Sequence, residues 1–123
     1  METPTESRSA SPARTSAVME KDKDIYDDGF LRVEHKNYYV SCGGSAIKLP
    51  RTEFLIFSRL TRTPNRIVAS EELWSAVWGT NKPLNTESLH VYIYRLRTKL
   101  AEFGLQIETM VNVGYLLITR PVN

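Results

Sequence analysis

The sequence predicts an α+β fold in which a small antiparallel sheet comes first, three helices follow, and a β-hairpin closes the chain. Three observations carry this expectation. Residues 25–49 alternate short β-prone runs with turn residues, residues 53–100 show helical periodicity, and two further β-prone runs flank Asn112-Val113-Gly114.

The chain opens on residues 1–24, METPTESRSASPARTSAVMEKDKD, which are rich in Ser, Thr, Pro and charge and nearly devoid of large apolar side chains. Such a segment buries too little surface to offset its ordering entropy, so 1–24 is expected to be a disordered tail and 25–123 the domain. The acidic patch from Glu20 to Asp28 is expected to serve mainly as a solubilising feature.

In the sheet, Ile25-Tyr26, Phe30–Val33, Tyr38–Val40 and Ala46–Leu49 are the β-prone runs, separated by Asp27-Asp28-Gly29, Lys36-Asn37 and Gly43-Gly44. The Gly-Gly pair supplies the positive φ angles of a tight hairpin turn. The first helix is expected over EFLIFSRL, 53–60, where Phe54, Phe57 and Leu60, flanked by Leu55 and Ile56, give a wide buried face. Thr63-Pro64-Asn65 ends it, because a proline disfavours helix in the residue before it. The second helix runs from Ser70 to Trp78, with Leu73, Val77 and Trp74 or Trp78 facing inward. Glu71 and Glu72 in its first turn suit the helix dipole, and Gly79 closes it. A polar loop containing Lys82-Pro83 leads to the third helix, from Thr86 to about Phe103. Gln106–Val111 and Tyr115–Thr119 then form the hairpin.

Composition narrows the function. Residues 1–29 hold seven acids and four bases, net −3, whereas residues 30–123 hold seven acids and twelve bases, net +5. The folded part is therefore basic and favours an anionic partner. No apolar run approaches the roughly 20 residues of a membrane span, and the N-terminus lacks the apolar core of a signal peptide. The expected location is cytoplasmic, with no membrane partner. The single cysteine, Cys42, allows neither an internal disulfide nor a cysteine-based metal site. There is no Gly-rich phosphate loop and no nucleophile–base pair, and the Glu71-Glu72 pair is explained by its helix turn. No enzyme activity, catalytic residue, metal, cofactor or small-molecule substrate is expected.

The stretch LHVYIYRLRTKL, 89–100, carries the most information. At 100° per residue, Leu89, Ile93, Leu96 and Leu100 fall within about 60° of one another and make a buried stripe. The opposite face carries Glu87, Val91, Tyr94, Arg95 and Thr98, with Ser88 and His90 at its edges. Alone, this is an ordinary basic amphipathic helix. In a major groove, however, a small apolar group meets a thymine methyl while an arginine reaches guanine N7 and O6. Val91 and Arg95 suit those tasks, and Tyr92, Arg97 and Lys99 flank the face where phosphates would lie. Two successive helices joined by a loop, the second basic and polar-faced, followed by a hairpin, make the layout of a winged helix-turn-helix.

The segments LPRTEFLIFSRL, IVASEELWSAVWG, LHVYIYRLRTKL and VGYLL occur in the order and at the spacing of a known family. Over about Ile25 to Ile118 the chain resembles the OmpR/PhoB-type winged-helix DNA-binding (output) domain of bacterial transcriptional response regulators. The resemblance implies a four-stranded antiparallel N-terminal sheet, three helices, a recognition helix over 86–100 and a C-terminal wing whose 111–114 turn lies near the minor groove. It implies Ser88, Val91 and Arg95 facing bases, Tyr92, Tyr94, Arg97 and Thr98 at or near the DNA backbone, and the Trp78 indole at a phosphate on the groove edge. With Thr86, Lys99 and Asn112 these make the candidate DNA-binding set. The loop Gly79, Thr80, Asn81, Lys82, Pro83, Leu84 and Asn85 matches the place where relatives contact RNA polymerase. Relatives bind direct-repeat DNA as head-to-tail pairs, and the family works within two-component phosphorelays. No receiver domain precedes this domain in the 123 residues, so the expectation is a stand-alone regulator or an output domain cut from a longer protein.

The departures from the family pattern are specific. Glu87 stands where relatives usually place an arginine or another polar residue, His90 replaces a common acid, and Tyr92 and Tyr94 replace a histidine and a smaller or basic residue. TMVNVGY stands for a typical TVRGVGY, which puts Val111 in place of an arginine and Asn112 in place of a glycine. Pro50 and Ala69 replace the usual threonine and serine caps of the first two helices, and Ser70 is expected to cap the second one residue later. Glu87, the missing wing arginine and the Tyr92/Tyr94 surface also frame an alternative: a winged-helix module that docks on a protein, with weak or absent DNA binding.

Overall fold

The computed structural model describes residues 24–119, so the tail expected over 1–24 lies, apart from Asp24, outside the described residues, as do residues 120–123. Strands β1 (Ile25–Asp27), β2 (Leu31–Glu34), β3 (Tyr39–Cys42) and β4 (Ser45–Ile47) form an antiparallel sheet in chain order. The acidic turn between β1 and β2 organises itself: Asp28 Oδ1 accepts the backbone N–H groups of Phe30 and Leu31, and Asp27 Oδ1 accepts that of Gly29. Gly43 and Gly44 link β3 to β4 with φ of +56° and +86°, the double left-handed geometry that a two-residue hairpin turn needs. Leu31 and Val33 alternate inward along β2 while Arg32 and Glu34 point outward and pair with each other at 2.8 Å.

Tyr38, expected in the third strand, instead caps a short 3-10 turn at His35–Asn37 in the left-handed conformation, φ 52°. Its ring stacks on Phe54 at 4.9 Å, which is what holds a bulky residue in that backbone region.

Helix α1 (Arg51–Arg62) extends the expected 53–60 at both ends. Its N-cap is Pro50, whose carbonyl takes the Phe54 N–H at 2.8 Å. Helix α2 (Ser70–Trp78) has the expected bounds, but Ser70 does not cap it. Ser70 is its first residue, Ala69 occupies the cap position without a side-chain bond, and the Ser70 N–H donates to the Val113 carbonyl at 3.1 Å. The hairpin thus supplies what a local serine side chain would have supplied. Helix α3 (Thr86–Ala101) ends two residues short of the expected Phe103.

The C-terminal strands are β6 (Gln106–Met110) and β7 (Gly114–Ile118). A strand not expected from periodicity, β5 (Val68–Ala69), pairs antiparallel with β7 to give the order β5-β7-β6. Its close approach requires Gly114: a Cβ there would sit 2.0 Å from the Val68 carbonyl oxygen. One core joins Leu31, Val33 and Val40 of the first sheet to Phe54, Phe57 and Leu60 of α1, Leu73 and Trp74 of α2, the four leucine and isoleucine side chains of the α3 stripe, and Ile107, Tyr115 and Leu117 of the hairpin. That core fixes α3 with its polar face outward.

Candidate nucleic-acid interface

Asn85 starts α3 by accepting the Ser88 N–H on its side-chain oxygen at 3.0 Å. This satisfies one of the four free N–H groups of the first turn. Leu89, Ile93, Leu96 and Leu100 are all buried, as the periodicity predicts. Glu87, Val91, Tyr94, Arg95 and Thr98 are all exposed on the other side, with Val91 at 47% and Tyr94 at 67%. These five therefore form one continuous surface. Thr86 is exposed and Ser88 half-buried at its leading end. The Thr98 hydroxyl donates to the Tyr94 carbonyl one turn back, at 3.0 Å, which leaves its oxygen lone pairs free to accept.

Arg95 makes a cation–π contact, its guanidinium carbon 5.6 Å from the centroid of the Tyr92 ring. Tyr92 is half-buried, and its other ring neighbour is Trp78, at 5.6 Å and tilted by 50°. Trp78 in turn stacks on the buried Trp74 at 4.1 Å. An aromatic ladder thus runs from the core to the exposed arginine. Periodicity gave no sign of it, because its rungs come from two helices.

On the opposite flank, Arg97 is half-buried and donates from Nε to the Ile107 carbonyl at 2.9 Å and from Nη2 to Thr109 Oγ1 at 3.0 Å. It latches α3 to β6, so part of its donor set is committed within the fold. His90 meets Tyr115 of β7 edge-on, with ring centroids 6.0 Å apart. Burial raises the Tyr115 phenol above its ordinary range, with Arg97 opposing.

Lys99 lies at the edge of this face, half-buried. Its ammonium lies 2.7 Å from Oε1 of Glu53, a carboxylate that is only 3% exposed, on α1. A buried carboxylate needs a partner, and helix-wheel position alone could not reveal one 46 residues away. Lys99, expected among the DNA contacts, thus pairs with a buried carboxylate while its own side chain stays 40% exposed.

The loop from Gly79 to Asn85 starts at a positive-φ glycine, φ 89°, and is pinned in its middle, where Trp74 Nε1 donates to the Lys82 carbonyl at 3.0 Å. Leu84 is half-buried, while Thr80, Asn81, Lys82 and Pro83 are exposed. In the hairpin turn, Asn112 has φ 64° and the Val113 N–H donates to the Met110 carbonyl at 2.9 Å. Asn112 therefore takes the left-handed position that a glycine would favour, one that asparagine tolerates better than most residues. Met110, Val111 and Val113 are exposed at 44%, 74% and 50%, and Glu108 is the one charged residue between 106 and 119. A groove of about 460 Å³ separates this turn from the starts of α2 and α3, with His90 and Leu84 in its walls. Among the described residues no cluster of three metal-ligating side chains occurs, and no helix is long and apolar enough to cross a membrane.

Comparison with known proteins agrees with this geometry. The family model "Transcriptional regulatory protein, C terminal" matches residues 44–117. The response regulator ArlR of Staphylococcus epidermidis is 32% identical over 109 residues, which cover 85% of this chain and 50% of ArlR. The chain spans about half the length of such relatives. Among solved structures, the Klebsiella pneumoniae RstA DNA-binding domain in complex with RstA box superimposes with a TM-score of 0.65 at 28% identity, over 76% of this chain and 96% of that one. The Thermotoga maritima response regulator DrrB, an OmpR/PhoB homolog, gives a TM-score of 0.67 at 27% identity, over 87% and 50% of the two chains.

Proposed function

The chain belongs to the family of transcriptional regulatory protein C-terminal domains, and on that premise we propose that it binds double-stranded DNA in a sequence-specific manner to regulate transcription. One observation carries the reading. Val91 and Arg95 lie side by side on the exposed face of α3, a helix whose other face is locked into the core. A helix held this way can enter a major groove, where an apolar group and an arginine read different base edges. That the RstA relative was solved with its DNA box supports the same use of the fold.

In this reading Ser88, Val91 and Arg95 face bases. Thr86, Tyr94, Thr98 and the Trp78 edge line the backbone. Arg97 holds the hairpin against the recognition helix, and the Asn112 turn lies at the minor groove. The loop 79–85 is the surface offered to RNA polymerase, and two domains bind head to tail on a direct repeat. The DNA-binding unit is the domain that starts at residue 25, and the protein works in the cytoplasm, where its DNA lies.

Selection of bound duplexes from a random pool, followed by footprinting, tests this. The expected product is a direct repeat with half-sites about one helical turn apart. Enrichment of no sequence refutes it. The apolar turn at Met110, Val111 and Val113 favours a second reading, a module that docks on a protein. Chemical-shift changes mapping to 86–98 on titration with the selected duplex would reject that alternative.

A further inference from the structure

We infer that Tyr92 is a positioning residue that sets the base specificity of Arg95, acting as the last rung of the Trp74–Trp78–Tyr92 ladder; this rests on the DNA-reading function proposed above.

An exposed arginine on a helix has several rotatable bonds and samples many orientations. Bidentate contact with one guanine needs a single one of them, with the planar guanidinium aimed at N7 and O6. Arg95 is exposed and makes no ion pair among the described residues that would restrain it. Its restraint is the Tyr92 ring at 5.6 Å, three residues earlier on the same side of the helix. Tyr92 cannot swing freely either, because Trp78 lies against it at 5.6 Å and Trp78 is itself stacked on the buried Trp74. Trp74 is fixed at its far end by the bond from Nε1 to the Lys82 carbonyl. A flexible cation on the surface is thereby referred back to the hydrophobic core through three rings. The Tyr92 ring face, rather than its hydroxyl, does this work.

The test repeats the random-pool selection with the full chain carrying Arg95→Ala, Tyr92→Leu or Tyr92→Phe. Arg95→Ala identifies the base pair whose preference depends on the arginine. At that same base pair Tyr92→Leu is expected to lose about two- to fivefold in discrimination, the range that a surface cation–π contact supports. Tyr92→Phe keeps the preference, since the ring remains. A uniform loss on all sequences in both Tyr92 variants, with the Arg95-dependent preference intact, overturns the proposal and makes the hydroxyl a backbone contact. The free wild-type protein gives a reading that needs no variant to fold. Its Arg95 side-chain protons should resonate upfield of ordinary arginine values because of the Tyr92 ring current, and ordinary values overturn the proposal. If the wild type enriches no sequence while those protons are shifted, the DNA-reading function fails, and this proposal with it, although the contact itself stands.

Discussion

Two cations of α3 that look alike in sequence have opposite tasks in the fold. Arg95 lies on the exposed surface with only an aromatic ring beside it, whereas Lys99 sits at 2.7 Å from the buried carboxylate of Glu53. Arg95→Ala should weaken binding to the selected duplex by about 1–3 kcal/mol and relax base preference at one position, while leaving thermal stability unchanged. Equal loss on every sequence in a binding titration would reduce it to a phosphate contact. Lys99→Met should do the reverse. It leaves Glu53 buried without its partner, so urea unfolding should show a loss of about 1–3 kcal/mol, with base preference retained. A Lys99→Met variant of native stability and broken specificity would contradict the assignment.

At the scale of elements, the hairpin does more than carry a turn. Its β7 strand pairs with β5, its Val113 carbonyl caps α2, and its β6 strand receives Arg97 from α3. The pivot is Gly114, where any side chain would meet the Val68 carbonyl. Gly114→Ala should therefore cost about 1–3 kcal/mol or more by forcing β5 away from β7. The loss should be accompanied by faster hydrogen exchange at the Ser70 amide, the group that the hairpin holds. Unchanged exchange there would show that the hairpin and α2 are not coupled through this contact. The same coupling explains why the missing serine cap before α2 is tolerated: the helix end is satisfied from the far end of the chain.

At the scale of the whole molecule, one buried polar pair ties the first sheet to α1. His35 is 8% exposed and its Nδ1 lies 2.6 Å from Ser58 Oγ. Burial, helped by the Arg62 guanidinium and opposed by Asp24, pushes its pKa from 6.5 down to about 4. Between those values the unfolded chain takes up a proton that the folded chain refuses. Stability should be full above pH 6.5, fall as the pH drops from about 6.5 to about 4, and level off below. The expected loss is about 3 kcal/mol from this group. His35→Gln removes the titration, so its stability profile over that window should be flatter than the wild type's. Parallel profiles would show that His35 does not set the acid response.

The sequence by itself determined the order of sheet, helices and hairpin, the buried stripe of α3 and the polar face opposite it. These follow from local rules: β-prone runs broken by turn residues, a 3.6-residue period, and glycines where the chain must turn. The family resemblance added the expectation that this face reads DNA. The short strand β5, the Arg97 latch, the Lys99–Glu53 pair and the aromatic ladder to Arg95 were decided by tertiary structure alone. Each joins residues from separate elements, and no local pattern encodes which side chain a partner will claim once the core has closed. Two residues such as Val68-Ala69 carry no period, and a lysine on a helix edge reads the same whether it faces water or a buried carboxylate. The periodicity of α3 gave the face, and packing gave Arg97 and Lys99 their partners within the fold.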